Sequence, residues 1–168
     1  KTIRSVLAQQ YEHIEYVVVD GGSTDGTIEI IRKYEAHISH WITEQDEGIY
    51  DAMNKGVAMA TGEWCIFLNA GDTFAADDVL NRVFQVPREA DVIYGDVVKN
   101  GTVKVAEPPH NSHRMYFCHQ SCLTRTACLR TFPYDTSHRM SADFKLYKLL
   151  WKKHYRFLQL PLDRKSVV

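Results

Sequence analysis

The stretch DEGIYDAMNKGVAMATGEWCIFLNAGD, residues 46–72, decides the reading of this chain. It opens as a polar loop and becomes a short helix whose Met53, Val57 and Ala60 recur near the 3.6-residue period. Gly62 is placed to end that helix. Residues 64–68 are an apolar run too short for a helix and read as a strand. Asn69-Ala70-Gly71-Asp72 then stands at the strand's carboxyl end and carries one acid. In an open α/β sheet, ligands bind in the crevice beyond the carboxyl ends of the strands. The polar segment before the helix and the one after the strand are therefore expected to face a common crevice.

Working back from this stretch, residues 1–10 read as a helix with Ile3, Val6 and Leu7 inward. The apolar run 14–19 ends in Asp20 and suits a parallel strand covered on both faces. The turn DGGSTDGT, residues 20–27, supplies glycines for tight turning and helix-capping candidates in Ser23, Thr24 and Asp25. A helix with Ile28, Ile31 and Tyr34 inward follows, then a strand over 38–43. This alternation predicts an α/β layered domain with right-handed crossovers. A doubly wound sheet wants a strand before the first helix, so the chain is expected to lack its natural beginning, with the N-terminal strand missing.

Working forward, residues 77–86 read as a helix with Val79, Leu80, Val83 and Phe84 inward, Asp77 and Asp78 at its positive end, and Pro87 closing it. A short strand over 91–94 ends in Gly95-Asp96. VVKNGTVKV, residues 97–105, alternates on both sides of Asn100-Gly101, the strongest local hairpin signal in the chain. Residues 107–114 read as a loop, 115–118 as a strand, 121–130 as a short helix and 132–141 as irregular. A helix over 143–152 turns Phe144, Tyr147, Leu150 and Trp151 inward, residues 157–160 form a last strand, and 163–168 a frayed tail.

Composition narrows the function classes. The 168 residues fit one domain with a real core, and 45% apolar and 24% charged residues are ordinary for a globular protein. A formal net charge of −1, with no recognition helix and no aromatic-basic stripe, gives no case for nucleic acid. No apolar run approaches the length of about 18 residues that a bilayer requires, while peripheral contact with a membrane is compatible with the composition. Cys65, Cys118, Cys122 and Cys128 form no CxxC pair, which argues against structural zinc. Phosphate-loop, GxGxxG and GxSxG patterns are absent.

The candidate residues each carry two readings. Asp20 either accepts hydrogen bonds from a ligand such as a nucleotide base or holds its own turn. Asp72 either meets a hard divalent cation, which takes oxygen ligands together with substrate phosphates, or simply forms a turn. Asp46, Asp51 and Lys55 bracket the start of the second long helix pattern. Asp51 and Lys55 stand i,i+4 and suit a surface ion pair, whereas Lys55 near a phosphate is the sharper alternative. Asp143 suits either a helix start or a general base in a cleft. His119, in the polar His119-Gln120-Ser121, either binds substrate or is a core histidine.

Taken jointly, VVVDGGSTDGT (17–27), DEGIYDAMNKGVAMATGEW (46–64) and FLNAGD (67–72) resemble family 2 of the GT-A glycosyltransferases. They are most similar to bacterial enzymes that build exopolysaccharide, capsule or lipopolysaccharide. DVIYGD (91–96), CHQS (118–121) and SADFKLY (141–147) resemble the same subgroup, so the likeness covers most of the chain.

The resemblance implies a GT-A fold, a three-layer α/β/α arrangement with a mixed, mainly parallel sheet. Residues 1–168 would form one domain, with 1–96 the nucleotide-sugar-binding half and 97–168 the acceptor-side half. It further implies a nucleotide-diphospho-sugar donor, a divalent cation (Mn or Mg), and transfer of a hexosyl or related group with inversion. The receiving hydroxyl would belong to a glycan or lipid-linked acceptor. Its setting would be the cytoplasm, at the inner face of the membrane for a lipid-linked acceptor.

By this likeness Asp20 contacts the nucleotide base, Asp72 the metal, and Asp143 acts as general base toward the acceptor. Asp46 and Lys55 fall in the donor-side segment, and His119 and Gln120 line the donor sugar or the acceptor. Where many relatives have Asp-Ala-Asp-Asp, this chain has Asn69-Ala70-Gly71-Asp72. That replacement of two acids keeps a non-catalytic sugar-nucleotide-binding or scaffold protein as the rival reading. A nucleotidyltransferase is the more distant rival, and its triphosphate loop is absent.

Overall fold

The computed structural model describes residues 1–85, 89–110 and 116–160. Six α-helices are described: α1 (Thr2–Leu7), α2 (Thr27–Lys33), α3 (Ile49–Met59), α4 (Val79–Val83), α5 (Thr126–Thr131) and α6 (Ala142–Lys152). The strands are β1 (Val17–Asp20), β2 (His40–Thr43), β3 (Trp64–Cys65), β4 (Val92–Tyr94), β5 (Val97–Lys99), β6 (Thr102–Lys104), β7 (Cys122–Arg125) and β8 (Phe157–Gln159).

The central sheet has the order β3-β7-β4-β8, with β4 parallel to β8 and antiparallel to β7, which is also antiparallel to β3. β1 and β2 form a parallel pair of their own. The chain is thus α/β with mixed pairing.

Alternation along the strands builds the layers. Val92, Tyr94 and Cys122 enter one apolar cluster, whereas Ile93 and Leu123 enter the other. Along residues 64–68, Cys65 and Phe67 pack on the first cluster and Trp64, Ile66 and Leu68 on the second. This alternation supports the strand reading through Leu68, although ladder bonds involve only Trp64 and Cys65. The first cluster is closed by α3, α5 and α6 through Met53, Val57, Leu129, Leu146, Tyr147 and Leu150. The second is closed by Val6 of α1 and by Val79, Leu80 and Val83 of α4.

The α3 face matches its periodicity: Met53, Val57 and Ala60 are all buried. The helix ends at Met59 with Ala60 extended, two residues before Gly62. Its ending is held by Glu15, whose carboxylate accepts from the Thr61 amide at 2.6 Å and the Gly62 amide at 2.8 Å. The hairpin forms as the sequence requires, with Asn100 and Gly101 at φ of 52° and 73°. Val98 and Val103 pair across it.

Three expectations are corrected. Residues 122–125 are a central strand, not the beginning of a helix over 121–130, and the helix starts at Thr126. Cys122, Leu123 and Thr124 are buried on both faces, and a short run buried all round has no period that separates strand from helix. Residues 116–118 form no strand. Leu7, expected inward, is 41% exposed, and Val6 alone of its helix is fully buried. Pro87, Met115, residues 111–114 of the expected loop and the expected tail lie outside the described residues.

Candidate active site

The carboxyl end of β1 delivers Asp20 into a buried position. Its Oδ2 accepts from the Gly22 amide at 3.1 Å, the Ser23 amide at 2.9 Å and Thr43 Oγ1 at 2.7 Å. Burial works to raise this carboxyl, but the Ser23, Thr43 and Gly22 donors outweigh it and hold it below the usual range. The turn-holding role is therefore real: Asp20 fixes the glycine-rich turn against β2.

That turn lies against Asp46. A Cβ on Gly21 would stand 2.5 Å from Asp46 Oδ2, so a side chain there would require Asp46 to move. Asp46 Oδ1 accepts the Gly48 amide at 2.9 Å, and Asp51 Oδ2 reaches back to the Glu47 amide at 3.1 Å. Two carboxylates thus shape the entry to α3. Lys55 is engaged by Glu44 at 2.9 Å, Asp51 at 3.1 Å and the Gln45 carbonyl at 3.2 Å. The i,i+4 ion pair is formed, and Glu44 is the largest influence raising the ammonium's proton affinity.

The first turn of α3 joins this region to a second cluster. Tyr50 donates its hydroxyl to Asp143 Oδ1 at 2.8 Å across 93 residues of sequence. His119 Nδ1 lies 2.9 Å from Asp143 Oδ2, and the Phe144 amide donates to Oδ1 at 2.8 Å. Asp143 is 8% exposed. Burial alone would raise its carboxyl, but His119 and Tyr50, with the Phe144 amide, hold it below the usual carboxylate range. Tyr50, pressed by burial and by that carboxylate, is pushed up to about 12 and stays a donor. His119 Nε2 is buried and has no hydrogen-bond partner among the described residues. Gln120 is half-buried in the same 3-10 turn.

Asp72 closes a turn in which its amide donates to the Asn69 carbonyl and its Oδ2 accepts the Asn69 amide, at 3.0 and 3.1 Å. α1 clasps the segment around it: the Gly71 amide donates to Thr2 Oγ1 at 2.9 Å and the Phe74 amide to Ser5 Oγ at 2.7 Å. Both Asp72 and Asp143 act on Cys118. Burial raises that thiol first, Lys104 and Lys99 lower it, and the two carboxylates raise it again. Among the described residues, no group of three or more His, Cys, Asp or Glu could hold a metal ion. Asp72 alone suits the mode in which one carboxylate shares a hard cation with substrate phosphates.

Of the residues singled out from the sequence, Asp143 and His119 touch directly, Asp46 packs on the turn built by Asp20, and Lys55 is tied to neighbouring acids. Tyr50 is the residue that sequence reasoning missed. Its signal was its place in the first turn of an amphipathic helix, where a buried hydroxyl needs a partner. Asp96 was passed over as well: it is buried, and its Oδ1 accepts the Ala106 amide at 2.9 Å.

Comparison with known proteins identifies the family and the fold. A "PGL/p-HBAD biosynthesis glycosyltransferase" of Mycobacterium bovis (strain BCG / Pasteur 1173P2) is 35% identical over 151 residues, covering 83% of this chain and 59% of its own length. An "Uncharacterized glycosyltransferase" of Mycobacterium tuberculosis (strain CDC 1551 / Oshkosh) is 42% identical over 86 residues, or 51% of this chain and 33% of its own. The chain thus spans 59% and 33% of the length of these relatives. The crystal structure of S. aureus TarS 1-349 in complex with UDP has the same fold, with a TM-score of 0.73 and 21% identity over 99% of this chain and 54% of that one. The family description "Glycosyl transferase family 2" matches residues 1–150, and the chain belongs to that family.

Proposed function

We propose that the protein transfers a hexosyl or related group from a nucleotide-diphospho-sugar to a hydroxyl of a glycan or lipid-linked acceptor. Transfer inverts the anomeric centre and serves the building of bacterial surface polysaccharide or glycolipid. One observation carries this reading: a buried, ionised Asp143 is held between Tyr50 and His119, beside the helix start that also meets Asp46 and the Asp20 turn. A carboxylate kept charged in such a place is suited to support proton removal from an attacking hydroxyl. A mycobacterial relative named as a PGL/p-HBAD biosynthesis glycosyltransferase supports the transferase reading. UDP, present in the TarS structure, is the first nucleotide to try.

In this reading, residues 1–96 serve the donor and 97–168 the acceptor. Asp20 and Asp46 shape the base and ribose side, and His119 and Gln120 face the sugar or the acceptor. Lys55 fixes the loop before α3 through Glu44 and Asp51, and reaches a phosphate only by exchanging those partners. Asp72 would hold Mn or Mg jointly with the donor's phosphates. When bound, the cation would neutralise charge growing on the departing diphosphate. Among the described residues no helix is long and apolar enough to cross a membrane. We place the reaction in the cytoplasm, at the inner membrane face where the acceptor is lipid-linked.

Calorimetry with UDP and a panel of nucleotide sugars, with and without manganese, tests the donor site. Metal-dependent binding followed by donor hydrolysis is expected, and Asp143→Asn should abolish turnover while leaving binding near normal. Retained turnover, or loss of binding in that variant, would remove the Asp143 assignment. Binding with neither hydrolysis nor transfer would instead assign a sugar-nucleotide-binding scaffold.

A further inference from the structure

α6 turns Asp143 inward at its first turn and carries a different chemistry on its outward side. Lys145, Leu149 and Lys152 stand i, i+4 and i+7 on the helix and are all exposed, with exposed Lys153 at its end. Leu149 is 37% exposed, and Met140, just before the helix, is 93% exposed. Residues 138–156 hold six of the chain's 20 lysines and arginines and one of its 21 acids. That acid is Asp143, buried against His119 and Tyr50. The stretch therefore carries +5 in a chain of net −1, and the remainder is −6. Asp135, from the preceding segment, pairs with Lys145.

An exposed lysine by itself only keeps a surface in water. Here lysines alternate with exposed apolar side chains beside a cavity of about 240 Å³, lined among others by Phe132, Pro133, Lys145, Leu146 and Leu149. Lys153 Nζ lies over the Phe132 ring, 5.5 Å from its centroid, so basic and apolar groups form one surface. Positive heads with apolar groups between them fit the boundary between anionic headgroups and acyl chains. A nucleic-acid backbone would reward the charges and leave Met140 and Leu149 in water.

We propose that the outward face of α6, Lys145, Leu149, Lys152 and Lys153 together with Met140, seats the protein on an anionic lipid bilayer. The uneven charge turns this face toward such a surface before contact, and the apolar groups then enter the headgroup layer. The seating needs neither nucleotide nor catalysis. Its use for a lipid-linked acceptor rests on the transferase reading above. The helix that meets the lipid holds Asp143 in its first turn, so an acceptor anchored in that bilayer arrives beside the Asp143 cluster.

Sedimentation of the whole protein with vesicles tests the seating. Vesicles of equal parts phosphatidylglycerol and phosphatidylcholine are expected to bind it, vesicles of phosphatidylcholine alone are not, and binding should weaken as salt is raised. Lys152→Gln with Lys153→Gln should weaken it about 25-fold, at about fivefold per lysine. Leu149→Asp should weaken it as well. The same loss of charge on α2, through Arg32→Gln with Lys33→Gln, should leave it within about twofold. In the wild-type protein, acetylation should slow on the vesicles at Lys145, Lys152 and Lys153 and not at Lys33, a readout that requires no variant to fold. Absence of binding to the anionic vesicles, equal loss in both double variants, protection that misses α6, or equal affinity for duplex DNA would each overturn the proposal. Vesicle binding by a protein that takes up neither UDP nor any nucleotide sugar would keep this surface and overturn the transferase reading instead.

Discussion

Asp46 Oδ2 occupies the space that a side chain on Gly21 would need, 2.5 Å from where its Cβ would stand, with Asp46 Cγ at 3.1 Å. The carboxylate is also anchored to the Gly48 amide at 2.9 Å, so it cannot yield without releasing that amide. Gly21→Ala is therefore expected to destabilise the fold by about 1–3 kcal/mol in chemical denaturation. Asp46→Ala in the same chain should relieve much of the loss. Additive effects of the two substitutions would contradict direct crowding.

Tyr50 donates to a buried carboxylate, and a hydrogen bond to a charged group is worth more than a neutral one. Tyr50→Phe keeps the ring, which stacks on Tyr134 at 5.4 Å, and removes only the hydroxyl. The expected loss is about 1.5–3 kcal/mol of stability. An unchanged unfolding midpoint would mean that the pair has no energetic weight.

Asn54 pairs with the backbone of Tyr134 in both directions, Nδ2 to the carbonyl at 2.8 Å and the amide to Oδ1 at 2.9 Å. Asn54→Leu leaves two partly buried backbone groups without partners and should cost about 1–3 kcal/mol. Asn54→Asp retains the acceptor and should fall between the two. Equal stability for all three would remove this contact from the account of how α3 is joined to the segment before α6.

The Asp143 and Asp20 carboxyls both lie below their ordinary value in the folded chain. A depressed carboxyl adds stability above its unfolded value, near 3.9, and that contribution is lost as pH falls through the folded value. The melting temperature should therefore drop on acidification below about pH 4. Asp143→Asn should show a shallower acid limb, with part of the slope left by Asp20. An acid limb unchanged in Asp143→Asn would contradict the linkage.

What the sequence disclosed followed from how local each constraint is. Asn100-Gly101 forces positive φ within two residues, and the hairpin was readable at once. The α3 face was readable because Met53, Val57 and Ala60 repeat on one side of a helix. Residues 122–125 were misread because burial on both faces erases any period. The Asp143 cluster joins side chains 24 and 93 residues apart, and no spacing rule encodes such a meeting. The family likeness pointed to His119 and Asp143 singly. The contact between them, and Tyr50 as the third member, required the fold.

β4 lies inside the central sheet, flanked by β7 and β8, both of which come after residue 97. The boundary between the proposed donor and acceptor halves therefore runs through a hydrogen-bonded ladder rather than along a seam between modules. A chimera that exchanged everything after residue 97 between two relatives would have to re-match strand register and two apolar faces at once. Under the proposed function, changes of acceptor preference are more easily reached by altering loops at the sheet's carboxyl edge, where sequence can vary without refitting the ladder.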